Sequence, residues 1–456
     1  MQISNSKESF LEKVCNEIKY KPIRENVANE IKNHIEEEKE NYLIDGTNEE
    51  MAEEKTILNM GDPKNIGKSL NKIHRPKLDI KLLIISLITV FFGLLITYSL
   101  SNMLYKNNVG SNSWFYENVI YIIFSGLLGT IIYFYDYTKL QKRSWIVYLF
   151  STIIGILSII MNFQNSNSSY IYIPIFNINI LTANIIVLLY IIGFSGFINN
   201  FNLNIKSNVV LITILSLFSL LVVCYCNSLI YLIILFSAYI SIFMIEIFKN
   251  GRYNKKYKLV SSIIFTFTGI VITLVFLLSY SPYKIEVAKT TLNPSNNEYS
   301  NKYQMSIRED ILEKSQMFGV NKLQGNLSDE LKLSDWAYGL QDAEGTESFV
   351  FIIGNYGIIF GVIVVVCILY LLLQIITNAK NIKDLYGKYI IIGIATMIII
   401  QSTLHILSNL CIIIPNSANL PLVSYSNSSM IINIITLSII LCIYRRKDII
   451  VINKNK

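Results

Sequence analysis

"DIKLLIISLITVFFGLLITYSLS", Asp79 to Ser101, carries no charge after Lys81. A helix needs about 20 apolar residues to cross a bilayer, and this stretch supplies them. Its two flanks differ in kind. Residues 1–78 are dense in Glu and Lys, whereas long charge-free runs dominate from Ile80 onward. Over its 456 residues the chain is 52% hydrophobic and 16% charged, where an ordinary soluble domain carries roughly a quarter charged residues. The expected architecture is therefore all-α. A small helical domain, 1–78, precedes a polytopic membrane domain, 79–456. The N-terminus is polar and acidic, without the basic start and apolar core of a secretory signal, so no cleaved leader is expected.

The first segment reads as helices. Phe10, Val14 and Ile18 fall at i, i+4, i+8, and Ile23, Val27, Ile31 and Ile35 repeat the stripe. "TNEEMAEEKTILNMG" opens on Thr47 with Glu50 three residues on, the pattern of a capping box, and closes on Gly61. Charge runs such as Glu36-Glu37-Glu38 fit a solvated face.

Ten stretches qualify as membrane spans, at roughly 81–101, 116–135, 144–163, 180–198, 207–225, 228–248, 258–280, 348–377, 388–411 and 428–444. Placing residues 1–78 in the cytoplasm gives inner loops "DYTKLQKR", "NNFNLNIK", "KNGRYNKKYK", "NAKNIKDLYGK" and the tail "RRKDIIVINKNK", all basic. The outer connections "QNSNSSYIYIPIFNIN" and "IIIPNSANLPLVSYSNSS" hold no Lys or Arg. The positive-inside rule thus puts both termini in the cytoplasm of a multi-pass protein of the cell membrane. The net charge of +7 then needs no nucleic acid as partner, since the cations fall where topology wants them. One outer loop, 281–347, is long and polar, and the spacing of Ile307, Ile311 and Leu312 makes part of it helical, lying on the outer membrane surface. The six cysteines are scattered and mostly lie in or beside apolar runs. Cys224-x-Cys226 has no partner pair, and only three histidines exist, so no metal site is expected.

"PNSANLPLVSYSNSS", Pro415 to Ser429, resembles the P-x-T-G-x-x-L-P-F-x-S-Y-G-G-S-S motif before the last helix of the SEDS family, which includes RodA, FtsW and SpoVE. Further stretches match in order. "DYTKLQKRSWIVY" (136–148) resembles the family's basic loop after span two, and "SPYKIEVAKTTLNPSNNEYSNKYQ" (281–304) the segment opening its large outer loop. "KSQMFG" (314–319) stands where the family is Gly-rich, and "LQDAEGTESFVFIIGNYG" (340–357) resembles L-P-E-A-H-T-D-F-I-F-A-x-x-x-E-x-G. Gln401 and His405 fall near a Q-x-x-x-N pattern in span nine. Residues 42–76 are similar to HAAS-like helical prefix domains of Gram-positive membrane proteins. The chain also departs from the pattern. An A-R-R-W segment and a Q-P-S-E motif have become "SSYIYIPIFNINILTAN", P-D-L-G-T has become "CNSLIYL", and the G-G of the last motif is Ser426-Asn427.

The resemblance implies a peptidoglycan glycosyltransferase acting on lipid II, a polyprenyl-pyrophosphate-linked disaccharide peptide, beside a class B penicillin-binding protein. Such a reaction needs a carboxylate to take a proton from the acceptor hydroxyl, and cations or dipoles to hold the leaving pyrophosphate. Glu347 takes the carboxylate's place, with Asp342 and Glu344 as alternatives because this stretch is two residues longer than the pattern. Glu is equally at home at a helix N-terminus, where the macrodipole favours it. Lys284, Lys289 and Lys302 sit near the family's cationic positions, though each also reads as a solvated lysine. Pro421, Ser424 and Tyr425 would form a re-entrant turn, Ser428 and Ser429 would cap the last span, and Gln401 and His405 would share a polar face one turn apart. No resident cofactor is evident, and a divalent cation on the pyrophosphate is compatible with the reaction. Two rivals stand beside this reading. One is a catalytically silent scaffold binding precursor or transpeptidase, favoured by the lost Arg and Lys positions. The other is a flippase, which would call for intramembrane ionisable residues or inverted repeats.

Overall fold

The computed structural model describes residues 4–20, 24–73, 76–106, 113–164, 170–173, 178–201, 205–225, 229–249, 300–319, 345–413, 418–424 and 427–447. The stretch expected to be the seventh span, 258–280, lies outside them. The chain divides into two compact units. One comprises residues 1–79 with 381–384 and 443–456, the other residues 80–380 with 385–442.

In the first unit, α1 (Ser4–Glu17), α2 (Arg24–Ile44), α3 (Glu49–Met60) and α4 (Pro63–Ile73) surround one core. Phe10, Val14, Ile18, Val27, Ile31 and Ile35 form it, the two stripes expected from their spacing except Ile23, which lies outside the described residues, with Ile57, Met60, Ile66 and Leu70 packed against them. The cap of α3 is Asn48 rather than Thr47: Asn48 has extended backbone and its Oδ1 accepts the Glu49 N–H at 2.7 Å. A carboxamide one residue nearer the first turn wins the position. The α4 helix was not foreseen. Its signals are Pro63 at the first helical position and Asp62 before it, whose Oδ1 accepts the Lys64 N–H.

In the membrane unit, α5 (Ile80–Lys106), α6 (Ser113–Phe134), a short α7 (Thr138–Lys142), α8 (Ser144–Gln164), α9 (Thr182–Asn200), α10 (Lys206–Tyr225) and α11 (Leu229–Lys249) run in order. Then come α12 (Ser300–Glu313), α13 (Ser348–Tyr356), α14 (Ile358–Asn381), α15 (Leu385–Asn409) and α16 (Asn427–Arg445). Seven of these (α5, α6, α9, α10, α11, α14 and α15) are long and apolar enough to cross a membrane, and α8 and α16 supply the shorter apolar stretches Ser144–Ile160 and Ser429–Arg445. One two-stranded antiparallel ribbon, β1 (Tyr170–Ile173) with β2 (Ile178–Leu181), interrupts the helices between α8 and α9. Its Ile and Tyr residues suit a pleated strand.

Burial within this unit is graded as lipid solvent requires. The membrane window of α9 is 78% buried and that of α6 only 17%. Ile120, Phe124, Leu127 and Ile131 of α6 face outward, which only a hydrocarbon surround makes favourable. The α9 helix is the hub, with Tyr190, Ile191 and Phe194 buried against Tyr231, Tyr239 and Tyr389. At Gly196, an added Cβ would lie 2.2 Å from the Ser144 Cβ, so the small residue sets the close approach of α8 and α9.

The region expected to be one span over 348–377 is two helices. The break is Gly357, at φ 97°. The segment after α12 is stitched across it: the Gly319 N–H donates to the Tyr356 carbonyl, and the Ile358 and Ile359 N–H groups donate to the carbonyls of Gln316 and Met317. A Cβ on Gly357 would lie 2.6 Å from the Met317 carbonyl oxygen. Gly357→Ala therefore costs stability, by about 2 kcal/mol from backbone strain and the collision. Gly126→Ala on α6, whose new methyl meets nothing within 4 Å, leaves stability unchanged or raises it. Thermal unfolding of the two purified variants in one detergent checks the contrast.

Candidate functional site: a buried carboxylate at the start of α13

Glu347 is the residue before the first turn of α13, the ordinary seat of a helix cap, yet its side chain caps nothing. The Asn409 carboxamide, from the end of α15, does that work. Its Oδ1 accepts the Val350 N–H at 3.1 Å, and its Nδ2 donates to the carbonyls of Thr346 (2.8 Å) and His405 (2.9 Å). The Glu347 carboxylate is thereby released to turn elsewhere. The simple helix-cap explanation of this acid fails on that geometry.

It turns to Arg308. Nε and Nη2 of Arg308 both donate to Oε1 of Glu347, at 3.0 and 2.7 Å, while Nη1 donates to the carbonyl and the Oγ of Ser408, both at 3.3 Å. The two side chains are 3% and 2% exposed. Arg308 lies on α12, the helix expected within the outer loop. That helix does not merely rest on a surface, because Ile311 and Arg308 are both buried. The cations singled out from the sequence, for the pyrophosphate, were Lys284, Lys289 and Lys302. For Glu347 the cation is Arg308. The signal was in the sequence: Arg308 shares the stripe of Met305, Ile311 and Leu312, and a charge on an apolar stripe needs a buried partner. Beside the pair, beyond the end of α15, the Cys411 thiol is pushed up to about 11, chiefly by burial and then by the Glu309 charge, with Arg308 opposing.

Next along the same wall lies a neutral cluster. The Nδ1 of His405 faces the Ala418 carbonyl at 2.8 Å and must carry the proton, which leaves Nε2 as an acceptor. Ser348 Oγ stands 3.4 Å from that Nε2 and 2.6 Å from Ser424 Oγ, and Ser424 Oγ accepts the Leu420 N–H at 2.8 Å. One directed chain satisfies every group: Ser424 donates to Ser348, Ser348 to His405, and His405 to Ala418. The expected turn is present, with Pro421 to Ser424 buried, the Val423 and Ser424 N–H groups donating to the Leu420 carbonyl, and Leu422 at φ 64°.

Of the residues singled out from sequence, the structure brings Glu347, His405, Pro421 and Ser424 to this wall. Gln401 is buried one turn below His405, out of hydrogen-bond reach of the described residues. Ser429 is buried in the first turn of α16, which begins at Asn427, and the side chain of Ser428 lies outside the described residues. Lys302 falls on α12. Lys284, Lys289, Asp342, Glu344 and Tyr425 lie outside the described residues. Arg308, Ser348, Ser408 and Asn409 were missed. Among the described residues, no three His, Cys, Asp or Glu side chains come together to hold a metal ion.

No curated protein matches this chain. Among solved structures, a chain from a study of the structural coordination of polymerization and crosslinking by a peptidoglycan synthase complex is similar at TM-score 0.59 and 15% identity, covering 81% of this chain and 98% of that one. The rod shape determining protein RodA of Thermus thermophilus is similar at TM-score 0.53 and 14% identity, covering 81% of this chain and 97% of its own, and a mutant of it gives the same score and identity with 98% of its own length. At such identities the likeness speaks for the fold. A family model for FtsW, RodA and SpoVE, described as cell cycle protein, matches residues 80–449. By that match over most of its length, the chain belongs to the FtsW/RodA/SpoVE family of cell cycle proteins.

Proposed function

We propose that this chain works in peptidoglycan synthesis, polymerising lipid II at the outer face of the cell membrane with both termini in the cytoplasm. The observation that carries the reading is Glu347. It is a carboxylate at the mouth of α13, relieved of capping duty by Asn409 and set against a single buried cation. In this reading Glu347 takes the proton from the acceptor 4-hydroxyl as that oxygen attacks the anomeric carbon of the donor, and the polyprenyl pyrophosphate departs. Arg308 orients the carboxylate and is the nearest described cation for a phosphate oxygen. The basic inner loops support the orientation. Similarity to a chain from a synthase complex that coordinates polymerization with crosslinking supports a class B transpeptidase as partner.

A second reading rests on the same pair. Two N–H groups already occupy Oε1 of Glu347, and the residue is 1% exposed. If Arg308 never releases it, the chain binds precursor or transpeptidase and polymerises nothing. One assay separates the two: labelled lipid II given to the purified protein in lipid, alone and with a class B transpeptidase. Glycan chains support the polymerase. Bound lipid II with no chains under either condition leaves the scaffold.

A further inference from the structure

α4 turns two different sides outward and inward. Ile66 and Leu70 pack on the core of the first unit, and Gly67 fits so closely that a Cβ there would lie 2.6 Å from the Val14 carbonyl oxygen. The other side carries Lys64, Lys68 and Lys72 at i, i+4, i+8, all exposed. Two other lysines of this unit meet carboxylates, Lys7 with Glu36 at 3.1 Å and Lys39 with Glu49 at 2.9 Å. Among the described residues, none of the three α4 lysines is in an ion pair. The acids of the unit are concentrated in α2 and α3, where Glu36, Glu37, Glu38, Glu40, Glu49, Glu50, Glu53 and Glu54 fall. Ile73, the last residue of α4, and Leu78, five residues on, are 55% and 46% exposed.

The chain beyond α4 limits how far this helix can lie from the start of α5. The Lys77 N–H donates to the carbonyl of Arg445, the last residue of α16, so the exit from α4 is tied to the end of an apolar helix. Three residues later α5 begins at Ile80. Fully extended, the connection from Ile73 to Ile80 spans at most about 25 Å. The three lysines are therefore tethered by a short connection to the bilayer face at which α5 begins.

We propose that Lys64, Lys68 and Lys72 form a docking surface for the anionic phospholipid headgroups of that face, with Ile73 and Leu78 sinking into the interface beside them. Lysine stems lie along the apolar boundary while their ammonium groups reach phosphate, and a cationic cluster next to a membrane helix gains affinity with each added charge. The unpaired state of the three lysines leaves them available for this, and the paired state of Lys7 and Lys39 does not. The inference stands apart from the chemistry at Glu347.

The test uses the full chain in nanodiscs of phosphatidylcholine alone or mixed with phosphatidylglycerol. An amine-reactive label is followed residue by residue by mass spectrometry, with exposed Lys32 and Lys55 as internal references. Labelling of Lys64, Lys68 and Lys72 relative to those references should slow by about fivefold or more in the anionic discs, and high salt should restore it. Equal relative rates in both discs would mean a side that is only solvated, and the proposal would fall.

Discussion

Arg308→Met destabilises the membrane unit by about 3–5 kcal/mol, and the double variant Arg308→Met/Glu347→Leu recovers most of that loss. The asymmetry follows from where the pair sits. With side chains 3% and 2% exposed, removing the guanidinium strands a carboxylate away from water, and that desolvation is the larger part of the cost. Removing both charges and filling the space with apolar atoms is neutral or stabilising in buried pairs of this kind. A remainder is expected in the double variant, because Nη1 of Arg308 also serves the carbonyl and Oγ of Ser408. Those acceptors lose their donor whichever residue faces Glu347. Unfolding of the wild type, both single variants and the double variant in one detergent gives the coupling energy directly. Additive single effects would mean that the two charges are individually solvated and that the pair does not exist in the folded protein.

That pair also marks the limit of what could be read from the chain alone. The spans, the two stripes of the first unit and the turn at Pro421 rest on local patterns: runs of apolar residues, a repeat of four, a proline among serines. Physics within one or two turns of helix decides such features. The partner of Glu347 is decided across 39 residues and through a loop of irregular length. The spacing between Arg308 and Glu347 therefore carries no periodic signal. Asn409 is subtler. Its sequence neighbours give only the end of a span, while its job, satisfying Val350 and Thr346, belongs to another helix. The break at Gly357 was visible as a glycine but not as a break. A helix tolerates one glycine, and only the Ser315–Gly319 segment bonding across it forces φ positive. His405 and Ser424 could be chosen as polar residues in apolar surroundings. The hydroxyl that joins them, Ser348, stands beside the acid that drew all the attention.

The double variant then becomes the sharper test of chemistry, because it is folded and has no carboxylate at 347. General-base assistance is worth about 10²–10⁴ in rate, so Arg308→Met/Glu347→Leu should polymerise lipid II slower by at least that factor, the Arg308 cation being lost with the base, at a thermal midpoint only slightly below that of the wild type. Glu347→Gln alone cannot make this distinction, since it leaves the buried Arg308 uncompensated and confuses unfolding with lost catalysis. Glu347→Asp adds a geometric arm. It retains the charge but draws the carboxylate back by about 1.5 Å, away from the 2.7 and 3.0 Å contacts that position it, and a displacement of that size costs about a hundredfold. Loss in the double variant with partial activity in Glu347→Asp assigns the proton transfer to this side chain. Wild-type rates in the folded double variant would make the pair a structural tie between α12 and α13. The reacting carboxylate would then be sought in the same re-entry segment, at Asp342 or Glu344, whose place beside the acceptor hydroxyl the two extra residues of "LQDAEGTESF" would explain.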